Sequence, residues 1–110
     1  MAYAGKNLER TFARNPYDQM GGYIKRCLGL SLYFKIENDA YQRIQELFVG
    51  DKPVDFDREY NVCFVTSQGV RAEYGGERQK LDVKAIEAME LYIAKNDPVS
   101  ISLMNTINAI

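Results

Sequence analysis

Among the chain's 110 residues there is no histidine. That single gap removes the commonest general base, the usual proton shuttle and every imidazole metal ligand. A catalytic triad containing histidine is excluded, and so is any zinc site that depends on imidazole; chemistry carried by carboxylates alone is not. Cysteine is scarce, with Cys27 and Cys63 the only two. One pair without a cysteine-rich framework is no signature of a secreted scaffold, and both are expected to be buried free thiols, which behave as small hydrophobes.

An excess of one charge is also lacking, with 14 basic against 15 acidic residues and a formal net charge of −1. No sequence-wide positive field exists to attract a polyanion, so nucleic acid is not expected as a partner. No apolar run approaches the roughly 18 to 20 residues of a membrane span, and the opening Met1 to Asn7 lacks the apolar core of a secretory signal. The chain as it stands reads as soluble and cytoplasmic, or periplasmic if cut from a precursor. What is present is globular: 46% hydrophobic and 26% charged residues, in a length that suits one modest domain over residues 1–110.

Leu8, Thr11 and Phe12 recur at helical spacing among Glu9, Arg10 and Arg14, predicting a helix over about residues 5–14 that Asn15-Pro16 terminates. The pair Gly21-Gly22 marks a turn into a strand. From Leu28 to Glu37 the pattern alternates, with Leu30, Leu32, Phe34 and Ile36 on one face. Residues 40–49 fit both periods: Tyr41, Ile44, Leu47 and Phe48 suit a helix, slightly the better match, whereas the alternation of Ile44, Glu46 and Phe48 with Gln45, Leu47 and Val49 suits a strand. Gly50-Asp51-Lys52-Pro53 is a turn signal.

The nearly unbroken apolar run from Tyr60 to Thr66 predicts a central strand buried on both faces. A glycine-rich polar loop, Ser67 to Arg78, follows it and is too long for a minimal connection. Asp82 is the expected N-cap of a helix reaching about Asn96, with Val83, Ile86, Met89, Leu91, Tyr92 and Ile93 supplying its apolar positions and Asp97-Pro98 stopping it. Residues 99–110 read as a short strand and a loosely specified end. These elements give an α+β fold: two helices packed with a mixed or antiparallel sheet of about four to five strands.

The order of several short motifs resembles the C-terminal domain of the 5′-nucleotidase family, most closely its branch of sulfur-oxidation thiosulfohydrolases and nucleotidase-like proteins. The residues carrying the resemblance are Gly5-Lys6-Asn7-Leu8-Glu9, Asn15-Pro16-Tyr17-Asp18-Gln19-Met20-Gly21-Gly22, Gly29-Leu30, Gly50-Asp51-Lys52-Pro53-Val54-Asp55 and Tyr60-Asn61-Val62. Each is short, and the specificity lies in their order over about residues 5–97. The resemblance implies a strand before the Gly-x-Lys-Pro turn, and so favours strand for residues 40–49.

It further implies that catalysis belongs to a metallophosphoesterase domain, whose two divalent metals are held by Asp, His and Asn and which a chain without histidine cannot contain. No catalytic residue, metal ligand or cofactor is therefore expected in this chain. The partner is a metallophosphoesterase domain in cis or in trans, for which the chain would be a substrate-recognition lid. The opening portion of the family's C-terminal domain has no counterpart here. At the position where nucleotidases place a base-stacking aromatic, a gap-free reading puts Ser67.

The residues expected at a substrate surface are Gly21, Gly22, Ser67, Gln68, Gly69, Arg71, Tyr74, Gly75 and Gly76. Glycines bring backbone N–H groups close to an anion, and Arg71 and Arg78 with the Tyr74 ring suit a sulfate, a phosphate or a planar group. Asp55, Asp57, Arg58 and Glu59 read as a polar loop. The alternative is a stand-alone binding or assembly module that forms a homodimer through exposed strand edges.

Overall fold

The computed structural model describes residues 2–20, 24, 26–66, 71–102 and 104–110. They form an α+β arrangement with two α-helices and one four-stranded mixed sheet. The chain groups into two compact units, Met1–Val62 with Asn105–Ile110, and Cys63–Met104.

In the first unit, α1 (Ala2–Thr11) packs on a sheet whose strands are β1 (Leu30–Phe34), β2 (Ile44–Val49), β3 (Lys52–Pro53) and β4 (Ile107–Ala109), in the order β3-β2-β1-β4. β1 pairs antiparallel with β2 and parallel with β4. Leu8, Leu32 and Phe34 form the buried core, and Phe12, Ile24, Ile44, Leu47 and Ile107 pack around it. Alternation in β1 places Leu32 and Phe34 on the helix-facing side, where the Phe34 ring lies 5.6 Å from Phe12. Tyr33, on the opposite face, meets Phe48 edge-on across β2 at 5.9 Å.

Residues 44–49 are a strand, and the helix-like spacing within them has a cause. Leu32 faces Leu47 and Tyr33 faces Glu46, but Phe34 faces Ile44, so Gln45 is an extra residue in β2. This bulge puts Ile44 and Leu47 on the same face at a separation of three, which imitates a helix in the sequence. β2 turns into β3 through Gly50-Asp51, with Gly50 at φ 63°, a left-handed conformation glycine adopts without steric cost. Pro53 lies on the sheet's edge strand, where a missing N–H is tolerated.

α1 is held down by a partly buried polar network. The Glu9 carboxylate accepts from Arg43 Nη1 and from the Tyr41 backbone N–H at 2.9 Å. Arg43 also donates from Nε to Ile36 O at 3.0 Å and from Nη2 to Phe12 O at 3.2 Å. Only 6% of the Arg43 side chain and 14% of the Glu9 side chain are exposed. The network ties the helix to the connection between β1 and β2.

Several boundaries differ from the sequence reading. α1 covers Ala2–Thr11 and stops before Asn15-Pro16. The Phe12 carbonyl is taken by Arg43 and the Arg10 carbonyl by the Met20 N–H at 2.8 Å, so neither continues the helical ladder. Asn15 instead caps a 3₁₀ turn over Pro16–Asp18. β1 ends at Phe34, and Ile36 is exposed in the turn beyond it.

The predicted central strand at 60–66 is not one. These residues lie outside the sheet and Val62, Phe64 and Val65 are exposed, because β1's second side is occupied by β4 and an apolar run by itself supplies no strand partner. The short strand expected soon after Val99 is instead β4, at the chain's end. Cys27 is half-buried and Cys63 exposed, so the expectation of two buried thiols fails, although both are free.

In the second unit, α2 spans Ala85–Lys95. Its N-cap is Lys84, whose backbone N–H donates to Glu87 Oε2 at 3.0 Å; Asp82 stands two residues further out. The carboxylate three residues into the helix satisfies the orphan donor, so the cap follows Glu87 and not the nearest aspartate. At the other end the Asn96 amide donates to Tyr92 O at 2.8 Å, two residues before Pro98.

Replacing Arg43 with Met leaves Glu9 without its buried partner and is expected to cost about 3–5 kcal/mol in urea unfolding. Arg14→Ala, which breaks the exposed Arg14–Asp39 bridge, should cost no more than about 1 kcal/mol. Gly50→Ala, forced into a left-handed conformation, should destabilise by roughly 1 kcal/mol although its Cβ meets open space, read from the same denaturation curves.

Candidate functional site

The polar loop that follows residues 63–66 carries the sequence's strongest site candidates, and its described part runs from Arg71. Arg71 Nη2 lies 3.6 Å from Glu73 Oε2, a half-exposed pairing between residues two apart. The Tyr74 backbone N–H donates to Arg71 O at 3.0 Å, closing a turn. Gly75 follows at φ 99°, a conformation that reverses the chain and that side-chain-bearing residues rarely adopt.

The reversal returns Arg78 toward the start of the loop. Its Nη2 donates to Arg71 O at 2.6 Å and to Tyr74 O at 3.0 Å. The guanidinium carbon stands 5.2 Å from the centre of the Phe64 ring, within cation–π range. Arg71 and Arg78 therefore differ in role: one makes a loose surface ion pair, and the other is engaged with main-chain carbonyls and an aromatic ring.

Of the residues expected at a substrate surface, Arg71, Tyr74, Gly75 and Gly76 share this loop, with Tyr74 half-buried and the other three exposed. Gly21, Gly22, Ser67, Gln68 and Gly69 lie outside the described residues. The apolar run from Tyr60 to Thr66 places Phe64 in a buried strand; it is instead 37% exposed and lies under the Arg78 guanidinium. Fourteen positions separate the two, and no local spacing rule connects them. The partner of Arg71 was visible in principle, since an opposite charge stands two residues on.

Asp55, Asp57, Arg58 and Glu59 form an exposed loop, as their composition indicated. Asp55 Oδ1 accepts from the Asp57 N–H at 3.0 Å, the Asp55 N–H donates to the Tyr60 hydroxyl at 3.1 Å, and Arg58 lies over the Tyr60 ring at 5.3 Å. The Asp55 carboxylate here organises a turn.

The two metals that the nucleotidase resemblance implies do not fit residues described in this chain. Among the described residues there is no group of three or more His, Cys, Asp or Glu side chains able to hold a metal ion, and the sequence has no histidine to complete one. No helix among the described residues is long and apolar enough to cross a membrane. No protein-family model, curated protein or solved structure matches the chain.

Cys63, exposed beside Phe64, offers a direct test of this geometry. In the native chain it should react with a thiol reagent such as Ellman's at a rate clearly above that of half-buried Cys27, and the two rates should converge in urea. Equal native rates would place residue 63 in a buried segment.

Proposed function

We propose that this chain is a substrate-recognition or lid module of a 5′-nucleotidase-like metallophosphoesterase, catalytically silent alone, with a phosphate or sulfur ester hydrolysed on a partner domain supplied in cis or in trans. The observation that carries the reading is the β2–β3 hairpin. Periodicity gave helix a slight advantage over residues 40–49, whereas the nucleotidase resemblance required a strand leading into Gly50-Asp51-Lys52-Pro53. A strand, Ile44–Val49, followed by a glycine-led turn into Lys52–Pro53 agrees with the resemblance at the place where the two readings diverged. An α+β layout with a mixed sheet agrees with it as well.

The absence of histidine supports a non-catalytic role for the chain on its own, because the acid–base and metal chemistry of such hydrolases depends on it. The Arg71–Arg78 loop is the surface this reading assigns to the ligand or the partner domain. It combines an exposed guanidinium, a half-buried tyrosine and a glycine turn, a set suited to an oxyanion or a planar group.

A second reading, an assembly module that pairs with itself, is favoured by the sheet's edges. Among the described residues, β3 pairs only with Phe48 and Val49 of the six-residue β2, and β4 is a three-residue edge strand. The part of β2 that β3 leaves uncovered, Ile44 to Glu46, is an edge that can accept a strand from another copy, whereas an edge as short as β4 discourages it.

Light scattering of the chain alone, and then mixed with a histidine-containing metallophosphoesterase domain from the same genome, separates the two. The lid reading predicts a heterocomplex, formed either from a monomer or by breaking up a dimer. A stable dimer that ignores the added domain would remove the lid reading and leave the assembly module.

A further inference from the structure

A guanidinium nitrogen that donates to two main-chain carbonyls of one turn helps to shape the loop that contains it. Arg78 Nη2 carries two hydrogens, and its two acceptors are the carbonyl oxygens of Arg71 and Tyr74, the residues that open and close the preceding turn. The Arg71 carbonyl accepts from the Tyr74 N–H as well, so main-chain and side-chain bonds converge on one oxygen. The planar cation is held over Phe64 at 5.2 Å. Gly75 at φ 99° provides the reversal that lets residue 78 reach back to residue 71.

We propose that Arg78 is a positioning residue: lying over Phe64, it clasps the loop from Arg71 to Arg78 into one conformation and thereby fixes where Arg71 and Tyr74 are presented. The functional meaning of the clasp rests on the loop being the binding surface proposed above; its mechanics do not. The sequence suggested an equivalent cation pair, Arg71 and Arg78, reaching for one anion. The geometry divides the work, with Arg78 turned inward to the loop's own carbonyls and Arg71 on the outside beside Glu73. Lysine is a poor substitute, because its ammonium could reach both carbonyls but has no planar face to lay on the Phe64 ring.

Amide hydrogen exchange on the full chain tests this. Arg78→Ala should accelerate exchange at Tyr74 and the following loop amides by roughly tenfold, the scale of losing hydrogen bonds from a charged donor, while β1 amides keep their wild-type rates. Millimolar methylguanidinium should restore part of the lost protection, a recovery that follows only if the guanidinium itself is the missing piece. Gly75→Ala, which keeps Arg78 but strains the reversal, should loosen the same amides. Arg71→Gln should leave them unchanged, since the acceptor at position 71 is the main-chain carbonyl.

Unchanged loop exchange in Arg78→Ala would overturn the proposal, and so would acceleration spread evenly over β1 and the loop. The experiment needs no partner. Failure of the lid reading would be seen separately, as absence of any complex with the wild-type chain, and would leave the exchange result standing.

Discussion

The first unit depends on the partly buried pairing of Glu9 with Arg43. A helix with one apolar stripe could lie on the sheet at several angles, and the hydrophobic contact of Leu8 and Phe12 with Leu32 and Phe34 discriminates little among them. The Arg43 guanidinium removes that freedom by contacting the Glu9 side chain, the Phe12 carbonyl and the Ile36 carbonyl together. Helix end, strand end and hairpin return are thus fixed by one side chain. Such a network adds little net stability over an apolar replacement of the same volume, but losing one partner strands a charge, so it enforces geometry.

The second unit is organised on a smaller scale by the same chemistry. Arg78 ties a loop through its carbonyls as Arg43 ties a helix to a hairpin, but in an exposed setting where each bond counts for less. The unit's α2 has its apolar residues Ile86, Met89 and Ile93 exposed, together with Tyr92 on the adjoining part of the same arc. The buried apolar cluster of the described residues, Leu8, Leu32 and Phe34, lies in the first unit, and the candidate binding loop belongs to the second.

The sequence made the elements with a simple period legible. Alternation through Leu30, Leu32 and Phe34 marked β1 and its core face, and the spacing of Leu8 and Phe12 marked the buried side of α1. Where a local rule was broken, the reading went astray or stayed open. A bulge at Gln45 disguised β2 as a helix, and only the motif order resolved it. The apolar run from Tyr60 to Thr66 promised a central strand, but strand formation needs a neighbour, and that neighbour's place beside β1 went to residues 107–109, more than seventy positions downstream of β1. The roles of Arg43 and Arg78 were not legible either, because both are defined by contacts across the fold and not by spacing.

A recognition lid improves catalysis that is carried out on another domain. Steady-state hydrolysis of a phosphate monoester by a metallophosphoesterase domain from the same genome, with and without saturating amounts of this chain, tests that directly. The account predicts no turnover by the chain alone and a lower KM when the two are combined, because a recognition lid adds substrate binding to an engine already present. An unchanged KM and kcat at saturating chain, or metal-dependent turnover by the chain alone, would contradict it.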